Sequence, residues 1–250
     1  MKEPKLTPKN VSEILKHERN QELCLSRINR YFGQFETREF SESTYKKRYK
    51  PEEHRPKGST GSFFEKYSEK SDRECFDGND VSAAICLSIR GEGRWVASLL
   101  NESIDLSCFS GLPYEKCISD VSEDFFDDQR ISQVLKQLLG INKIGLVVAS
   151  KLLASKRPYL FPIFDSDVSK FFGVPNNRNK AIPTYLKWCK SWQEVVSDPE
   201  VKKELENIRN NSSVQPNEQI SSLRILDVIF WLDGKIKDAN GEPEVLRTTL

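Results

Sequence analysis

Several features that would define a class of protein are missing from this chain of 250 residues. It contains no run of about 18 apolar residues, so no membrane-spanning helix is expected. The first sixteen residues are polar and of mixed charge, without the apolar segment of a secretory signal. No two of the six cysteines form a C-x-x-C pair, and there are only two histidines. We therefore expect a cytoplasmic protein with reduced thiols, without a metal site and without another cofactor.

Sustained alternation of apolar and polar residues is also missing, which argues against a large sheet. Apolar residues recur instead at helical spacing over residues 81–89, 131–139 and 223–232. Asp77 precedes the first of these segments and is a suitable N-cap. The sequence therefore predicts an all-α protein. Its net charge of +1 does not indicate a partner, so the distribution of charge has to be considered.

Residues 1–74 are expected to form an irregular, polar region, and residues 75–250 a helical domain. Lys and Arg outnumber Asp and Glu in the first region, and aromatic residues are interspersed among them. In such a segment cations can contact phosphates while rings stack on bases. The candidates are Lys47 and Arg48 for phosphates, and Tyr45 and Tyr49 for bases. A solvated loop whose aromatic residues cap the core is an equal alternative.

Residues 131–156 carry the pattern of a helical hairpin. An amphipathic helix is followed by the short break 140–145 and by a second helix that has to end before Pro158. Residues 141–160 contain four cations and no acid. Gly145 stands where the second helix begins, so free N–H groups and the positive end of the helix dipole could bind a phosphate. Purely structural helical bundles contain such hairpins as well.

The loop 158–168 follows the hairpin. Its apolar segment from Leu160 delivers two carboxylates, Asp165 and Asp167, to the start of a third helix. An acid at this position is usually a helix cap. Behind a cationic hairpin, the same position would place a carboxylate beside a bound phosphodiester.

These two segments resemble the signature of the helix-hairpin-helix DNA glycosylases. In that family a hairpin of the form L-P-G-[VI]-G-x-x-x-A precedes an apolar segment ending in V-D-[TS]-H-V. Here the hairpin is Ile141-Asn-Lys-Ile-Gly-Leu-Val-Val-Ala149, and the second segment is Phe161-Pro-Ile-Phe-Asp-Ser-Asp-Val168. Twenty positions separate Gly145 from Asp165, which matches the family spacing. The match covers about 45 residues and implies a helix-hairpin-helix glycosylase fold.

The chain departs from this signature at four positions. Asn142 and Lys143 stand where the family has proline and its first glycine, and Asp167 replaces the histidine. Val147 replaces the lysine that forms a Schiff base in bifunctional members. The four-cysteine iron–sulfur motif of some members is absent. The resemblance therefore implies a monofunctional enzyme that leaves an abasic site without cleaving the strand.

The resemblance assigns Asp165 as the catalytic carboxylate, which would stabilise the positive charge that develops on the sugar and orient the attacking water. Asp167 is the reserve candidate. The expected hairpin contacts to DNA are Lys143, Gly145, Val147, Ala149, Lys151, Lys156 and Arg157. The expected walls of a pocket for the extruded base are Trp188, Trp192, Trp231, Tyr45 and Tyr49.

The expected partner is double-stranded DNA that contains a modified base, bound by a monomeric protein. Alkylated, deaminated, mismatched and bulky phage-type modified bases all remain open, and with them DNA repair or defence against phages. Two other functions are weighed against a glycosylase. A catalytically inactive hairpin module would bind DNA without releasing a base, and a structural domain that binds a protein partner would not bind DNA.

Overall fold

The computed structural model describes residues 5–32, 60–89, 91–212 and 220–233, together with residues 235, 245 and 246. Within these ranges it contains eleven α-helices and no strand, so the all-α prediction is confirmed. No helix there is both long and apolar enough to cross a membrane. The helices are α1 (Pro8–Lys16), α2 (Glu18–Phe32), α3 (Phe64–Lys70), α4 (Gly78–Cys86), α5 (Gly93–Asn101), α6 (Gln129–Gly140), α7 (Leu146–Lys156), α8 (Ser166–Phe171), α9 (Ala181–Ser197), α10 (Pro199–Asn211) and α11 (Ser222–Trp231).

The described parts of the first 74 residues are helical, so the expected irregular region is wrong for them. Thr7 caps α1, and Pro8 occupies its first turn, where proline is well tolerated. Val11, Ile14 and Leu15 form an apolar stripe that is buried in the common core. Helix α1 packs on α10, and α2 packs on α11, so these residues belong to the same body as the rest. The four N-terminal candidates, residues 45 and 47–49, lie outside the described residues.

Helix α9 runs through the core and contacts α1, α6, α7, α10 and α11. Two of its side chains hold the extended segment that leads to Asp165. The Tyr185 hydroxyl donates to the carbonyl of Pro162 at 3.0 Å, and Trp188 Nε1 donates to the carbonyl of Ile163 at 3.2 Å. This segment is therefore fixed by buried polar contacts as well as by its apolar side chains.

Two of the expected pocket walls are core residues instead. Trp188 and Trp192 are each 2% exposed. Trp188 contacts Phe164 and Phe172 edge to face, and Trp192 contacts Phe172 in the same way. The prediction that they line a base pocket is wrong, because both rings fill the space between α9 and its neighbours.

Candidate active-site cleft and hairpin groove

The turn between α6 and α7 has the backbone shape of a tight hairpin. Ile141 and Ile144 are buried, and the amide of Ile144 donates to the carbonyl of Ile141 at 3.0 Å. Lys143 lies between them with a φ of +74°, a left-handed conformation that favours glycine. The turn therefore places a lysine in a conformation that glycine adopts more readily.

The first turn of α7 leaves backbone donors free. Gly145 is the N-cap and has no side chain with which to cap the helix. The amides of residues 146–148 therefore have no partner within the helix. A β-carbon added at Gly145 would meet no heavy atom within 4 Å, so the space beside this residue is open. The amide of Ala149 donates to the carbonyl of Gly145 at 2.9 Å, so the predicted contact from Ala149 to DNA is wrong.

These amides border a groove of about 680 Å³, which we call the hairpin groove. Residues 142–148 form one wall, and Asn176 and Ala181 contribute to the other. Lys143 lies in the first wall, and Lys180 lies next to Ala181 of the second. Both lysines are exposed. The chain has no Asp or Glu between residues 129 and 164, nor between residues 168 and 193. The hairpin groove can therefore accept an anionic ligand without a nearby acid on either of its walls.

Asp165 caps α8 and is held by two donors. Its Oδ1 accepts from the amide of Asp167 at 2.9 Å, and its Oδ2 accepts from Lys151 Nζ at 3.2 Å. Lys151 Nζ also donates to the carbonyl of Leu87, at 2.8 Å, at the end of α4. Asp165 as a whole residue is 8% exposed. A helix cap needs only the first of these contacts, so the ion pair with Lys151 is an additional feature.

Asp165 and Lys151 line a small cleft, which we call the carboxylate cleft. Its volume is about 20 Å³, enough for one water molecule. The residues that line it are Tyr31, Cys86, Leu87, Ser88, Lys151, Ile163, Asp165, Arg224, Asp227 and Trp231. Of the three tryptophans proposed for a pocket, Trp231 is thus the one that borders Asp165. A base could enter only if this cleft widened.

Three of the expected cationic contacts to DNA are buried, and the predictions for them are wrong. Lys151 contacts Asp165 and the end of α4, as described above. Lys156 forms an ion pair with Asp80 at 2.5 Å and is fully buried. Arg157 is 3% exposed, and its guanidinium donates to the carbonyl of Phe109 at 3.2 Å. Of the four cations that the sequence predicted to contact DNA from residues 141–160, Lys143 remains available for a phosphate.

The reserve candidate Asp167 does not line the carboxylate cleft. Its carboxylate forms ion pairs with Lys235 at 2.6 Å and with Lys170 at 4.0 Å, and it is 43% exposed. The two adjacent acids thus differ in surroundings. Asp165 faces the cleft, whereas Asp167 belongs to a surface network.

Sequence reasoning missed the charged residues that α11 brings to the cleft. Arg224 is buried and contacts Asp227, the hydroxyl of Tyr31 and, at 2.9 Å, Glu65 Oε1. Burial lowers the pKa of Arg224, but the surrounding oxygens of Tyr31, Glu65 and Asp227 raise it above the usual value. Burial also raises the pKa of Glu65. The signal in the sequence was a pair of opposite charges three residues apart in the otherwise apolar run of α11.

The fold and the site together define an all-helical protein in which one helix, α7, connects a cationic groove to a buried carboxylate. The chain belongs to a family of unknown function, DUF6308, whose family model matches residues 25–234. A comparison with curated proteins gives no match, and a comparison with solved structures gives none either.

Proposed function

We propose that this protein is a monofunctional DNA N-glycosylase that removes a modified or damaged base from double-stranded DNA. One observation carries the proposal: α7 begins at the hairpin groove and contacts Asp165 through Lys151. At 1.5 Å per residue, Lys151 lies about 9 Å along the helix axis from Gly145. That length corresponds to two or three nucleotides at about 3.4 Å each. A strand held in the groove could therefore present a neighbouring nucleotide to the cleft.

The chemistry requires a fixed carboxylate near C1′ of the extruded nucleotide. Cleavage of the N-glycosidic bond builds positive charge on the sugar, and an ionised carboxylate stabilises that charge. The same group can orient the attacking water. The two donors to Asp165 hold its carboxylate in one orientation, which is the preorganisation that such a role needs. We propose further that the protein acts as a monomer in the cytoplasm and needs no cofactor.

The test is base release from duplexes that carry single alkylated, deaminated, mismatched or bulky phage-type bases. We expect an abasic site with at least one duplex, revealed by alkali, and no strand cleavage before alkali. Asp165→Asn should lower the rate by on the order of 10²- to 10⁴-fold and leave DNA affinity intact. The matched control is Asp167→Asn, which changes an adjacent acid outside the cleft and should keep most of the rate. Equal rates for the wild type and Asp165→Asn would remove Asp165 from the mechanism.

A second candidate is a catalytically inactive module that binds DNA through the hairpin groove. The small volume of the carboxylate cleft, about 20 Å³, favours this alternative because an extruded base needs much more space. This candidate predicts affinity that falls steeply with salt and no abasic product from any duplex in the panel. The panel therefore separates the two functions, and activity on phage-type bases alone would favour a role in defence over repair.

A further inference from the structure

The carboxylate cleft contains a second buried acid, Asp227 of α11. One of its two carboxyl oxygens is hydrogen-bonded and the other is not. Its Oδ2 accepts from Arg224 Nη1. Its Oδ1 is buried and, among the described residues, has no hydrogen-bond partner. The side chain of Asp227 lines the cleft together with Asp165 and Lys151. A buried carboxyl oxygen without a partner is uncommon and calls for a ligand or a proton.

The surroundings of Asp227 favour its protonated form more than those of an ordinary, solvent-exposed aspartate do. Burial raises the pKa of Asp227, and the charge of Asp165 raises it further. Arg224 and Lys151 act in the opposite direction, but the pKa remains above the usual value. Arg224 itself is shared with Glu65 and with the hydroxyl of Tyr31, so its charge is divided among several partners. The cleft thus presents two carboxyl groups in different surroundings, which is how acid and base roles are commonly separated.

We propose that Asp227 is a second catalytic residue, which donates a proton from Oδ1 to the departing base. The role rests on the proposed glycosylase function. When the C1′–N bond breaks, its electron pair goes to the base nitrogen, and the base takes the proton of Asp227. Water then adds to C1′ and gives its proton to Asp165. That proton passes to solvent, and Asp227 takes a proton from solvent for the next turnover.

Two kinds of leaving base distinguish this role from a structural one. An uncharged base, such as uracil or hypoxanthine, needs a proton to leave as a neutral molecule, whereas 7-methylguanine in DNA already carries a positive charge and leaves as a neutral molecule without one. Base release is measured from duplexes that contain each of these bases, for the wild type and for Asp227→Asn. We expect Asp227→Asn to lower release of the neutral base by on the order of 10²-fold or more. Release of 7-methylguanine should change less than about threefold, because only the proton donor is lost.

The matched control is Asp167→Asn, which removes an acid that does not line the cleft and does not contact Arg224. It should change the two rates by the same factor. A second measurement needs no variant: the rate of the wild type on the neutral base should fall as pH rises through the pKa of Asp227. The rate on 7-methylguanine should not show this fall.

Three results overturn the inference. One is an equal loss on both bases in Asp227→Asn, and another is the same pH profile for both bases in the wild type. In either case the wild type remains active, so the proposed function stands while the role of Asp227 fails. The third is a wild type that releases no base from any duplex, which removes the proposed function and this role together.

Discussion

Helix α7 contributes the lysines of two lysine–aspartate pairs, five residues apart, and the two pairs differ in what surrounds them. Lys156 and Asp80 are both without exposed surface, and Lys156 Nζ also donates to Ser71 Oγ at 2.7 Å and to two backbone carbonyls. Lys151 and Asp165 have side chains that are 6% and 11% exposed and border a cleft. The first pair has its hydrogen bonds satisfied within the protein. The second keeps one side open to solvent or a ligand.

Charge and residue type therefore do not by themselves define a site. Both lysines lie on one helix, and both meet an aspartate at the start of another helix: Asp80 lies in the first turn of α4, and Asp165 is the N-cap of α8. What differs is the packing around them: α3 and α4 close over the end of α7, whereas the middle of α7 meets the edge of a cleft. A structural role for the first pair and a functional role for the second can therefore be tested separately.

The largest expected effect on stability comes from breaking the enclosed pair. Lys156→Met leaves Asp80 buried without its cation, and we expect a loss of about 3–5 kcal/mol in the free energy of unfolding. Urea denaturation measures this loss. The control is Lys136→Met on the exposed face of α6, which should change stability by less than about 0.5 kcal/mol. A loss below about 1 kcal/mol for Lys156→Met would show that this pair is not the structural element that its burial indicates.

Breaking the pair in the cleft should cost less. In Lys151→Met the carboxylate of Asp165 loses one charged donor but keeps the amide of Asp167, and water can reach it from the cleft. We expect a loss of about 1–3 kcal/mol in the free energy of unfolding, measured by the same titration. Base release, where the wild type shows it, should fall because Asp165 is no longer held in place. A loss of stability equal to that of Lys156→Met would erase the distinction between the two pairs.

Much of the fold was predictable because helices α4, α6, α9 and α11 each carry an apolar stripe at helical spacing. The turn before Gly145 and the position of Asp165 at the start of α8 were also predictable, from spacing along the chain. The pairing of Asp165 with Lys151 was not, because it depends on how two distant segments meet. Local patterns describe neighbours along a helix, and they carry no information on which elements pack across it.

The errors have the same origin. Residues 149–158 are almost all buried, so α7 has no polar face in its second half that could indicate which lysine reaches solvent. The predicted contacts from Lys156 and Arg157 to DNA treated every cation as exposed. Helix α1 was overlooked for the opposite reason, because its short apolar stripe lies among many polar residues. Its burial becomes visible only when α10 packs against it.

Lys143 of the hairpin turn differs from both of these lysines, because it is exposed and has no buried aspartate as its partner among the described residues. Its left-handed conformation is unfavourable for lysine by about 1–2 kcal/mol, so Lys143→Gly should raise the free energy of unfolding by up to about 1 kcal/mol. If the hairpin groove binds DNA, the same change should weaken binding and reduce the slope of log K against log salt by about 0.9, the value for one lost phosphate contact.

Lys143→Asn is the matched variant, because asparagine tolerates this conformation and also lacks the charge. Urea denaturation and fluorescence anisotropy over a series of salt concentrations measure the two quantities. Increased stability with an unchanged salt slope in both variants would mean that Lys143 does not contact a phosphate, and the hairpin groove would then lose the one cation among the described residues that line it.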